Sequence, residues 1–427
     1  MSTSVNRSQI ADGIYFTEIQ DSKFKGNCIS VSFVAPLCSD TASKYAILPS
    51  ILTRGFRQCP DNAQFNRLLN KMYGAACHFS VTKAGDDQLL SIFIAGLDDR
   101  FTLQNEPITA EISKILCSII LDPVIENGSF PEKTFETEKK SLINAIKAEL
   151  NDKVALASNK CQQLMFENSA AAIGKLGSLE SAEGLECREV FDAYNDLLEG
   201  AKIEIIFSGC GDSGAAKEIF SSAFTSSIER GELFKTGSRP ILTFGSIKDK
   251  TEFYNIAQAK LSLGLTTETV AGDEDEMAMN FMCALLGGTP FSKLFLNVRE
   301  KLSLCYYCSS SYDKFKGAII INSGIENENK EKAQTEILNQ LESIQNGEIT
   351  DDEIENTKKL LANACTSVSD DMMRIIHYYI ARLCTGRFSS PKDDLESYSK
   401  ISREDIINAA RKVKLNTVYF MSPKGEQ

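Results

Sequence analysis

The 427-residue chain contains no tryptophan and only two histidines. So few imidazoles exclude several kinds of chemistry. A zinc hydrolase with both histidines on one helix needs them four residues apart, so that both rings face one metal. His78 and His377 stand far apart and in non-equivalent places, so both are read as packed or surface residues. For the same reason no Ser–His or Cys–His nucleophile pair is supported.

Positive charge is also short. Lys and Arg number 46 against 58 Asp and Glu, giving a net charge of −12. An excess of this sign leaves no basic face able to replace the counterions of a phosphate backbone, so no nucleic-acid partner is expected. No segment approaches the roughly 18 consecutive apolar residues of a membrane span. The opening "MSTSVNRSQIADGIYF" has no apolar core of signal-peptide length. A cytoplasmic protein with no membrane association is expected. Thirteen scattered cysteines, an odd number, suit buried thiols in a reducing compartment better than a disulfide framework.

Two short motifs carry less than their spacing suggests. "CYYC" (Cys305 to Cys308) has redox-pair spacing but runs along an expected strand, without the helix N-terminus that lowers a thiol pKa and without a second CxxC. "GCGDSG" (Gly209 to Gly214) joins a strand to a helix but lacks the Lys-Ser/Thr ending of a phosphate loop. It is read as a turn. Glu136 and Glu138, taken by themselves, read as solvated helix charges.

What the chain does have is an internal repeat. "FPEKTFETEKKSLINAIKAELND" (Phe130 to Asp152) parallels "ITDDEIENTKKLLANACTSVSDD" (Ile349 to Asp371), each with an acidic start, a Lys-Lys pair and an apolar helical face. The flanks repeat in the same order. "LLNKMYGAACHFSV" matches "VREKLSLCYYCSSS", "QLLSIFIAG" matches "KGAIIINSG", and "TAEISKILCSII" matches "KAQTEILNQLESI". Late strands "IEIIFSGCG" and "NTVYFMSP" complete the series. The alternation predicts an α+β fold of two homologous halves, each a mostly antiparallel sheet packed against long helices. Those long helices are expected near Pro131–Cys161 and Asp351–Cys384. The halves are placed at 1–226 and 241–427, joined by a breaker-rich linker at 227–240.

This plan resembles the pitrilysin/insulinase metallopeptidase family, which includes mitochondrial processing peptidase. That family carries an inverted zinc motif, HxxEH, shortly before a Lys/Arg-Gly. Here the matching stretch is "AILPSILTRGF", anchored by Arg54-Gly55. Ala46 and Ser50 occupy the histidine positions and Pro49 that of the general-base glutamate. A proline inside the segment predicts a kink or a helix start nearby. Glu138 is the best match for the third zinc ligand. The resemblance therefore implies a lost zinc site, with no metal and no cofactor, and no peptidase activity by the chain alone.

In the second half the family has an Arg and a Tyr in an R-x-K-x-x-L-x-Y pattern, matched here by Arg299, Lys301, Leu304 and Tyr306. The resemblance implies that Arg299 holds substrate carbonyls and that Tyr306 donates to the carbonyl under attack. From the residues alone, the alternative stays open that Arg299 caps its helix and Tyr306 packs in a core. The helix carrying Arg299 is expected from Phe291 to Ser303, and Tyr306 and Tyr307 on opposite faces of the strand after it.

Among family members the chain is most similar to the YfmF/YmfF-type subunits, which lack HxxEH. This implies a partner subunit that completes an HxxEH-bearing homologue as a heterodimer, or a homodimer, acting on a peptide or protein. It also implies a link to the modification of elongation factor P with 5-aminopentanol. A scaffolding subunit and a stand-alone peptide-binding chamber are the alternatives.

Overall fold

The computed structural model describes residues 4–167, 169–238, 246–386 and 388–424. Among these residues the chain forms two compact units. The first comprises 1–147, 173–237 and 370–381, and the second 148–172, 238–369 and 382–427.

The first unit is built on a six-stranded sheet. Its strands are β1 (Ser4–Ala11), β2 (Ile14–Gln20), β3 (Gly26–Pro36), β4 (Ala76–Ala84), β5 (Asp87–Leu97) and β6 (Lys202–Gly209), in the order β1-β2-β6-β3-β5-β4. The second unit has β7 (Lys248–Tyr254), β8 (Ala259–Thr266), β9 (Cys305–Asp313), β10 (Ala318–Ile325) and β11 (Lys414–Pro423), ordered β7-β11-β8-β10-β9.

The two orders are the same once β1 is set aside. In each sheet the late strand pairs in parallel with the first strand of the set (β6 with β2, β11 with β7), and the other pairings are antiparallel. One shared parallel pair in the same place is strong evidence of duplication, because strand order is not dictated by hydrophobic alternation. The mixed α and β architecture with long helices is as the repeat predicts.

Central strands β3 and β8 are buried along nearly their whole length, as strands covered on both faces must be. The edge strands β4 and β9, which occupy the same place in the two sheets, are part-exposed. Apolar helix faces close the units, as where Phe220 meets Phe16 with ring centroids 6.2 Å apart.

Each expected long helix is in fact two. Glu132–Asn151 is followed by Lys153–Met165, and Asp351–Ser369 by Met372–Leu383. The breaks have the same cause. Asp152 accepts from the amides of Val154 and Ala155, and Asp371 accepts from Arg374, so each aspartate caps a new helix and ends the previous one. The downstream helices then join the unit that the other half of the sequence mostly builds. Cys161 of Lys153–Met165 donates to the Ser262 carbonyl on β8. His377 of Met372–Leu383 packs on Phe93 of β5, centroids 5.1 Å apart.

The segment after Ser227 is held to the first unit. Arg230 donates to carbonyls of Asp12, Leu198 and Ala201, the Phe234 amide to Gly200, and the Gly237 amide to Asp87 at 2.7 Å. Residues 239 and 240 of the expected linker lie outside the described residues.

Candidate functional site

The helix matching the zinc motif spans Ala42–Leu52 and runs through Pro49, so it does not begin at the proline. Proline removes one hydrogen bond to the preceding turn. Side-chain hydroxyls engage the carbonyls around it: Ser50 Oγ donates to Ile47 O at 2.8 Å, and Thr53 Oγ1 to Pro49 O at 2.8 Å. Ala46, Pro49 and Ser50 are all buried. Pro49 lines a small apolar void with Phe33, Leu90, Ile92 and Tyr194. A carboxylate at that position would meet hydrocarbon, not substrate.

Glu138 is not the solvated charge that its helix suggests. It is 2% exposed, and Arg54 Nε donates to its Oε1 at 2.6 Å. The guanidinium of the Arg-Gly anchor thus neutralises the carboxylate matched to the third ligand. Zinc is the metal the resemblance implies, and these residues do not fit it. A methyl group, a pyrrolidine ring, a hydroxyl already donating to its own helix and an ion-paired carboxylate make no ligand set. Among the described residues no group of three His, Cys, Asp or Glu side chains is placed to hold a metal.

The other histidine-poor readings resolve simply. His78 is exposed on β4, and burial lowers the pKa of His377. The "GCGDSG" turn is as read: Asn27 Oδ1 accepts from the amides of Cys210 and Gly211 at 3.0 and 2.8 Å, which are then not free for a phosphate.

Arg299 and Tyr306 lie in the second unit on adjoining elements. The helix expected from Phe291 to Ser303 is shorter, Leu294–Lys301, and is wound as a π-helix, as is Ala284–Gly288 before it. Wide turns of this kind recur at functional sites. The Arg299 side chain is 39% exposed, stacks over the Phe295 ring at 4.5 Å and lies 3.6 Å from Glu300.

Tyr306 is displayed by a device invisible in the sequence. On β10, Gly324 pairs with Tyr307 and Ile325 with Cys305, so Tyr306 is an extra residue, a β-bulge. Bulges re-aim side chains. Tyr306 is 59% exposed, and its hydroxyl donates to Glu326, which raises its pKa. Tyr307 lies across Gly324 toward the Lys260 ammonium, 5.7 Å from its ring, and burial pushes its phenol up to about 12. Tyr306 is thus the exposed tyrosine and Tyr307 the half-buried one, set apart by the bulge and not by the regular alternation expected of a strand. No hydrogen bond joins Arg299 to Tyr306.

Sequence reasoning did not reach Glu326, the bulge, or the Gly324 gap that admits the Tyr307 ring. It also did not reach a cavity of about 730 Å³ lined by Asp275, Asp393, Asp405 and Lys412. Those carboxylates are engaged: Asp275 with Lys412, and Asp393 and Asp405 in the capping boxes of their helices. Among the described residues no helix is long and apolar enough to cross a membrane.

Known proteins share this fold. The family pattern described as "Peptidase M16 inactive domain" matches residues 187–361. The chain is 26% identical over 414 residues to the "Probable inactive metalloprotease YmfF" of Bacillus subtilis, covering 94% of each protein. A conserved protein from Enterococcus faecalis V583 superposes with a TM-score of 0.90 at 26% identity over 99% of both chains. The crystal structure of a peptidase M16 inactive domain from Pseudomonas fluorescens gives 0.80 at 17% identity, again over 99% of each. With its duplicated sheets, its Arg-Gly anchor and a motif helix stripped of ligands, the chain is similar to the inactive members of the M16 family, the pitrilysin/insulinase peptidases.

Proposed function

We propose that this protein is the non-catalytic subunit of a two-subunit peptidase. It pairs with a homologue carrying HxxEH and presents Arg299 and Tyr306 to the bound peptide. The observation that carries this reading is the bulge at Tyr306. A phenol lifted out of an edge strand into solvent, just after the π-helical turn bearing Arg299, serves no packing purpose. A guanidinium can hold peptide carbonyls and a phenol can donate to a developing oxyanion, a contact typically worth about 10²–10³ in rate. The resemblance to YfmF/YmfF-type subunits extends the proposal to the modification of elongation factor P with 5-aminopentanol.

The test is to mix the protein with an HxxEH homologue from the same genome, then follow co-elution and peptide hydrolysis. Co-elution with hydrolysis that needs both chains supports the pairing. Failure to associate, with peptide bound by this chain alone, would leave a stand-alone binder. Association with hydrolysis indifferent to Tyr306→Phe would leave a scaffold. For the pathway, the intact mass of elongation factor P should change when the gene for this chain is deleted; an unchanged mass removes that link.

A further inference from the structure

The bulge that lifts Tyr306 also does something to its neighbours. In a regular strand, residues three apart face opposite sides. The extra residue brings Cys305 and Cys308 onto the same face, and both side chains enter the core of the second unit. On β10 their partners are Ile325 and Ser323, two residues apart, so the two thiols are neighbours along that face. Both are free thiols, 7% and 5% exposed, at the start of an edge strand.

We propose that Cys305 and Cys308 are a reversible thiol–disulfide pair, closed by exchange with a low-molecular-weight disulfide and reopened by a dithiol. The electrostatics support an order of events. The neighbouring Cys308 thiol and the Arg299 charge lower the Cys305 pKa against the effect of burial, while Cys308 is raised. Buried thiols elsewhere, such as Cys117 and Cys161, are pushed up to about 12 by burial. Cys305 is therefore the attacking sulfur.

In the first step the Cys305 thiolate attacks one sulfur of the small disulfide, forming a mixed disulfide and releasing one small thiolate. In the second, Cys308 gives up its proton and attacks the Cys305 sulfur, forming the internal disulfide and releasing the second small thiolate. The protein loses two electrons and two protons, and the small disulfide is reduced to two thiols. Transient disulfides of this type are the ones found in reducing compartments. The closed loop spans Tyr306 and fixes the bulge. Any effect on peptide binding rests on Tyr306 being a peptide contact, as proposed above.

The experiment uses the native full-length chain and oxidised glutathione, with alkylation, trypsin digestion and mass measurement. Cleavage after Lys301 and Lys314 yields one peptide, Leu302–Lys314, holding Cys305, Cys308 and no other cysteine. The expected result is a peptide lighter by two hydrogens, restored by dithiol treatment. C308S should stop at a stable glutathione adduct on Cys305, and C305S should leave Cys308 unmodified. A wild-type peptide that stays doubly alkylated, or that keeps a stable glutathione adduct, overturns the pair whatever the variants do. If the disulfide forms and peptide affinity is unchanged, the pair stands and its coupling to Tyr306 falls.

Discussion

Arg54 Nε lies 2.6 Å from Glu138 Oε1, and these two residues hold opposite charges together where one is 2% exposed and the other reaches the surface. Removing the cation leaves a buried carboxylate with no compensation, which typically costs about 3–5 kcal/mol for a fully buried pair. Arg54 is 43% exposed, so the lower end applies. Arg54→Ala should therefore lower stability by about 3 kcal/mol in urea unfolding. The double variant Arg54→Met, Glu138→Met should recover most of that loss. A double variant no more stable than Arg54→Ala would show that the pair is not coupled. Metal analysis of the wild-type protein should find far less than one zinc per chain.

Tyr306→Phe, assayed in the mixed complex, should reduce kcat far more than it raises KM, because a donor to the oxyanion acts in the transition state. Arg299→Ala should raise KM as well, since carbonyl contacts already exist in the ground state. Equal effects of both variants on KM alone would make Tyr306 a binding residue only.

Asp87 gives a prediction about pH. Burial raises its pKa to about 6, against the pull of the Gly237 amide that donates to it. The folded state then binds more protons than the unfolded state between the ordinary carboxylate range and pH 6. Stability contributed by this group must fall as pH rises through that window. Asp87→Asn can still accept from Gly237, so it should raise the thermal midpoint at pH 7 and flatten the slope between about pH 4 and 6. An unchanged slope would assign it to other carboxylates.

At Gly324 a Cβ atom would come within 2.5 Å of Tyr307 Cε1. Gly324→Ala must push that ring off its place above Lys260, and crowding of this kind usually costs about 1–3 kcal/mol. A second substitution, Tyr307→Ala, should relieve the clash, so that alanine at 324 costs less in that background. Additive losses would mean that the strand moves instead of the ring.

The duplicated plan was legible because hydrophobic period and helix caps are local properties. "FPEKTFETEKKSLINAIKAELND" and its counterpart show both, and the paired sheets follow from them. The helix breaks at Asp152 and Asp371 are not legible in the same way, since apolar periodicity continues across each. Glu138 reads as a solvated charge because solvated and buried glutamates look alike until a partner 84 positions away is known. The bulge at Tyr306 is a relation between two strands, Cys305 with Ile325 and Tyr307 with Gly324, and no single stretch encodes it. The π-helical winding around Arg299 is set by packing in the same non-local way.

His377 against Phe93 has a consequence for synthesis on the ribosome. The first unit includes residues 370–381, so its sheet stays uncovered on that face until most of the polypeptide has been translated. Contacts so distant along the chain close late and slowly. The early product must wait in a partly open state, where exposed apolar strands invite aggregation or chaperone binding. A nascent chain stalled before residue 370 should therefore be protease-sensitive in β3 to β5, and one stalled well beyond 381 should be protected.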